Sequence, residues 1–144
     1  MGLKNLGNTC YMNSLFQQFF MMDEFREKIL SIQDYGNFNE NNLVLKFQII
    51  MANLKTREKE SLDPSFFFEN LKDFEGGRVC PYEQKDVEEF FNLFSELFGN
   101  QLKVKSINFD IKFDFLRIRS MKICSKIFSE EFVQMSSVVK IVLI

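Results

Sequence analysis

From Thr9 to about Met22, the apolar residues Tyr11, Met12, Leu15, Phe16, Phe19 and Phe20 recur at helical spacing. The stripe is wide, which predicts a central helix buried on most sides. Asp23 to Leu30 starts with acids and follows them with bases, predicting a short amphipathic helix that ends before Tyr35-Gly36-Asn37. Asn37 to Asn42 is read as a polar connector. Leu43, Leu45, Phe47, Ile50, Met51 and Leu54 then give a third helical pattern, and Thr56 to Ser61 a charged loop. Asp63-Pro64 is read as a helix start, with aspartate as cap and proline at the first position. That helix would carry Phe66, Phe67, Leu71 and Phe74 and stop at Gly76-Gly77.

A fifth helix is predicted from about Gln84 to Phe98, ended by Gly99-Asn100, with Val87, Phe90, Phe91, Phe94, Leu97 and Phe98 as its apolar face. The period then changes to two. Ile107, Phe109, Ile111, Phe113 and Phe115 alternate with polar residues, as on a half-buried strand, and the β-branched stretch Phe132 to Ile144 also reads as strand. Helices first and strands last describe an α+β arrangement.

Composition narrows the function. A chain of 144 residues with 46% hydrophobic positions can build one core. Its 19 phenylalanines and absence of tryptophan suit core filling and carry no functional reading. A net charge of -2 with both signs mixed provides no footprint for nucleic acid or an anionic membrane surface. No apolar run nears the roughly 20 residues of a membrane-spanning helix, and the start of the chain has no secretory pattern. Cys10, Cys80 and Cys124 are odd in number and widely spread. They form neither a disulfide framework nor a C-x-x-C metal pair, so an intracellular, reducing setting in cytoplasm or nucleus is expected.

Candidate chemistry centres on Cys10. It falls in the first turn of the central helix, after an approach rich in glycine and asparagine. Unpaired N–H groups and the positive end of the helix dipole favour an anion there, which suits a nucleophilic thiolate. A thiol hydrolase also needs a general base, usually imidazole. The chain contains no histidine.

Gly2-Leu3-Lys4-Asn5-Leu6-Gly7-Asn8-Thr9-Cys10-Tyr11-Met12-Asn13-Ser14 resembles the cysteine box of the ubiquitin-specific proteases, the papain-like deubiquitinating enzymes. Gln84-Lys85-Asp86-Val87-Glu88-Glu89-Phe90 is similar to the Gln-x-Asp-x-x-Glu-Phe helix that follows that box in the family. The resemblance implies a papain-like fold, with a helical thumb over residues 1–100 and the first palm strands over 101–144, as the N-terminal part of a longer catalytic domain. It also implies hydrolysis after the C-terminal glycine of ubiquitin, with Cys10 as nucleophile and Asn5 as oxyanion donor. Gln84 and Asp86 would contact ubiquitin's basic tail, with ubiquitin or ubiquitinated proteins as partners. A turn-capping Asn5 and a helix-capping Gln84 and Asp86 are the plainer alternatives. Asn13 and Ser14 fit a site role or a packing role equally. The family's histidine boxes have no counterpart. Met121 to Phe132 resembles the start of the family's zinc-bearing region but holds only Cys124, short of the four ligands a structural zinc wants. No metal or other cofactor is expected of this chain. An inactive remnant or a ubiquitin-binding module is the competing functional reading.

Overall fold

The computed structural model describes residues 1–33, 42–56, 60–69 and 71–104. The strands expected at Ile107–Phe115 and Phe132–Ile144 lie outside these residues, as does most of the Asn37–Asn42 connector. In order come β1 (Gly2–Leu3), α1 (Cys10–Met21), α2 (Asp23–Ser31), α3 (Leu43–Thr56), β2 (Ser61–Leu62), α4 (Ser65–Phe68) and α5 (Val87–Val104). The described part is mostly helical with one small sheet, consistent with the α+β expectation.

Helices α1 and α3 both pack on α5, and α2 lies against α1 and α3. Their shared interior is phenylalanine. Phe16, Phe19, Phe47, Phe67, Phe90, Phe94 and Phe98 are fully buried. Phe94 is the hub, with ring centroids 5.0 Å from Phe47, 5.2 Å from Phe98 and 5.5 Å from Phe16. Tilted and edge-to-face rings at these separations add attraction beyond area burial.

Several boundaries depart from the periodicity. Helix α5 starts at Val87, not Gln84, because Asp86 Oδ1 accepts the N–H groups of Glu88 at 2.8 Å and Glu89 at 3.3 Å. It continues through Gly99-Asn100, expected to end it, to Val104. Packing overrides the glycine there. Leu102 is buried one turn beyond Phe98, and Gln101 Oε1 accepts the N–H groups of Leu43 and Val44 at the start of α3. Asn42, read as connector, also caps α3 by accepting the Leu45 N–H at 3.1 Å.

The helix expected from Asp63 to Phe74 is a single turn. Asp63 does accept the Ser65 N–H at 3.0 Å, which holds its carboxyl below the usual aspartate range. Further on, Asp73 Oδ1 accepts the N–H groups of Glu75 and Gly77, and Lys72 pairs with Arg78 in an antiparallel bridge. Local side-chain acceptors thus give the backbone a tight turn in place of helix, and Gly76, with φ +83°, closes that turn. Ser61, expected in a loop, belongs to β2, which pairs in parallel with β1 in the register Gly2 to Ser61 and Leu3 to Leu62.

Candidate active site

The approach to α1 is fixed from both ends. The Gly2 N–H donates to the Glu60 carbonyl at 3.2 Å and the Lys4 N–H to that of Leu62 at 2.9 Å, tying the first residues to β2. From inside the helix, Asn13 Nδ2 donates back to the carbonyls of Leu3 at 3.3 Å and Lys4 at 3.1 Å. Asn13 therefore has a packing role, positioning the strand that leads into the loop. Ser14 Oγ donates to the Cys10 carbonyl at 2.8 Å, a bond within the helix.

Between these anchors, Asn5 organises the loop. Its Oδ1 accepts the N–H of Gly7 at 3.2 Å, the N–H of Thr9 at 3.0 Å and the hydroxyl of Thr9 at 3.2 Å. Donors converging on one end of the amide identify that end as oxygen and leave Nδ2, a donor, on the opposite side. The turn-capping alternative is thus real, and it orients a donor at the same time.

Thr9 is fully buried, and its Oγ1 accepts the Leu6 N–H at 3.1 Å. It makes no side-chain cap bond to α1, contrary to the usual use of threonine in that position. The hydroxyl is committed backwards to the loop, so Thr9 leaves the first-turn amides uncapped. Cys10, the first residue of α1, is exposed. An accessible thiol beside uncapped helix amides is an arrangement that binds and stabilises an anion.

A second segment docks on this loop. The Asn8 N–H donates to the Pro81 carbonyl at 2.8 Å, and Asn8 Nδ2 to the Tyr82 carbonyl at 2.6 Å. Gly7 has φ +139°, and a Cβ there would lie 2.7 Å from Tyr82 Cδ1. Only glycine permits both that conformation and that approach. Cys80, at the base of this segment, is half-buried and keeps its packing interpretation, while Cys124 lies outside the described residues. Tyr11 shows the proximity of the two segments. Burial first, then the nearby Cys10 and Cys80 thiols and the carboxyls of Glu89 and Glu83, push its phenol up to about 12.

Asp86 and Gln84 are exposed just before α5. Asp86 caps the helix, while Gln84 precedes it by three residues. Glu88 and Glu89 are solvent-facing, with Lys85 Nζ 3.9 Å from the Glu89 carboxylate. Among the described residues, no group of three or more histidines, cysteines and acids could hold a metal ion. Sequence reasoning missed Gly7, Asn8 and Tyr82 as a unit. The glycine and asparagine signalled a turn, but nothing in Tyr82's neighbourhood announced its partner.

The structure thus brings an exposed Cys10, the first residue of α1, next to a loop organised by Asn5. A model of the ubiquitin carboxyl-terminal hydrolase family matches residues 1–140, and the chain belongs to that family. It is 31% identical over 106 residues to ubiquitin carboxyl-terminal hydrolase 7 of Caenorhabditis briggsae, covering 71% of this chain and 9% of that protein. Human ubiquitin carboxyl-terminal hydrolase 24 is 30% identical over 102 residues, covering 71% of this chain and 4% of that one. Ubiquitin carboxyl-terminal hydrolase 12 of Salmo salar is 37% identical over 93 residues, 63% of this chain and 24% of its own length. The chain thus spans less than a quarter of each of these relatives.

Proposed function

We propose that the chain is the nucleophile-bearing part of a deubiquitinating thiol hydrolase, with residues 1–100 as a helical thumb and 101–144 as the start of a β-rich palm. In the full-length form, Cys10 Sγ attacks the carbonyl carbon of ubiquitin's C-terminal glycine in an isopeptide or peptide bond. The oxyanion that forms is met by Asn5 Nδ2 and by the amides at the start of α1. Collapse of the intermediate expels the amine and leaves a thioester on Cys10, which water then hydrolyses. The imidazole that moves the protons comes from outside these 144 residues, since none is histidine. Gln84 and Asp86 meet the basic tail of ubiquitin, a carboxylate being suited to arginine. A reducing intracellular compartment, cytoplasm or nucleus, keeps such a thiol free.

The observation that carries this reading is the commitment of Thr9 to the Asn5 loop, which leaves an exposed Cys10 beside uncapped amides. The missing histidine favours a second reading, a ubiquitin-binding module without catalysis. Ubiquitin bearing an electrophile at its C-terminus separates the two. A covalent adduct that disappears in Cys10→Ala is expected for a live nucleophile. Association without an adduct supports the binding module, and absence of both removes ubiquitin from the account.

A further inference from the structure

Tyr82 is 72% exposed although it carries a large aromatic ring. Burial does not explain it, because most of its apolar surface stays in water. The loop beneath it is nevertheless held firmly. Its carbonyl takes the Asn8 side-chain amide, the carbonyl of Pro81 takes the Asn8 N–H, and its ring edge rests against Gly7. Those partners stand two and three residues before Cys10, and Asp86 caps α5 four residues after Tyr82. The ring therefore sits on the junction between the nucleophile loop and the start of α5. An aromatic side chain that is fixed at its base and open on its face loses little freedom when it binds, which is why tyrosine is enriched among binding anchors.

We infer that Tyr82 is a specificity-determining contact for the extended, basic C-terminal segment of ubiquitin, an inference that rests on the function proposed above. A segment whose last carbonyl reaches Cys10 and whose basic side chain pairs with Asp86 runs past this junction. There the phenol ring offers a π face to a guanidinium and an apolar surface to the neighbouring residue.

Titration of the chain with ubiquitin tests the assignment. Tyr82→Ala is expected to weaken affinity about tenfold, as for a moderate aromatic anchor. Tyr82→Phe should stay within about twofold, because the ring and not the hydroxyl makes the contact. With ubiquitin shortened by its C-terminal tail, the difference between Tyr82→Ala and the unsubstituted chain should vanish, which a purely structural role would not produce. If Tyr82→Ala binds like the unsubstituted chain while Asp86→Arg binds more weakly, Tyr82 is off the path and the proposed function stands. A Tyr82→Ala loss that persists against tailless ubiquitin also overturns the contact. If the unsubstituted chain fails to bind ubiquitin, both the inference and the function beneath it fall.

Discussion

Phe94 is surrounded by rings from α1, α3, α4 and its own helix, whereas the loop before Cys10 is held by directed hydrogen bonds, three of them to one oxygen of Asn5. In the first region, attraction is non-directional and shared among many neighbours, and it grows with the area removed from water. In the second, each bond has one donor, one acceptor and one geometry. The core can absorb a change of shape by rearranging partners of the same kind. The loop has no equivalent partner to substitute, so the site is the more sensitive to chemistry and the core to volume.

Truncating the hub should produce the largest effect on stability. Phe94→Ala removes a fully buried ring and is expected to cost about 3–5 kcal/mol, read as a lower urea midpoint. Phe94→Leu, which keeps most of the volume, should cost less than about half of that. Equal losses from both would mean that ring geometry, and not filled space, holds the helices together.

Asn5 tests the other side of the contrast. Aspartate keeps the acceptor that Gly7 and Thr9 use but has no Nδ2 donor, and it adds a negative charge unfavourable to an oxyanion. Asn5→Asp should therefore fold with nearly unchanged stability. Its adduct formation with the ubiquitin electrophile should slow by about 10²–10³-fold, the size of a lost oxyanion donor. Asn5→Ala loses acceptor and donor together, and should also lose about 1–3 kcal/mol of stability through unsatisfied loop donors. Reaction of Asn5→Asp at the original rate would reduce Asn5 to a turn former.

The same contrast explains what could be read from the sequence. The buried face of α1 was legible because Tyr11, Met12, Leu15, Phe16 and Phe19 repeat with the helical period, and every one of them is buried. The place of Cys10 in the first turn was legible from the turn-rich approach before that run, whereas Asn5 was singled out only by the resemblance to the family's cysteine box. The β1–β2 pair was not, since two residues per strand are too few to establish a period. The helix expected to run on to Phe74 misled because the Asp73 carboxylate competes with helix only once the chain has turned back through Gly77. Gly99 misled because its local preference is outweighed by Phe98 and Leu102 on either side of it. Tyr82 was illegible because its partners, Gly7 and Asn8, are more than 70 positions away.

The smallest expected effect concerns how helices begin. At α3, Asn42 Oδ1 accepts the Leu45 N–H, and Gln101 Oε1, from the last turn of α5, accepts those of Leu43 at 2.8 Å and Val44 at 3.3 Å. At α1, Thr9 supplies no such acceptor. Gln101→Ala should thus cost about 1 kcal/mol, a typical loss for a removed cap, with faster amide exchange at Leu43 and Val44. Gln101→Glu keeps an acceptor and places a negative charge at a helix N-terminus, which is worth about 0.3–1 kcal/mol. It should be at least as stable as the unsubstituted chain. A glutamate variant that loses as much as alanine would show that Gln101 acts through something other than its oxygen. The capped start of α3 would then no longer serve as the structural counterpart against which the open start of α1 stands out.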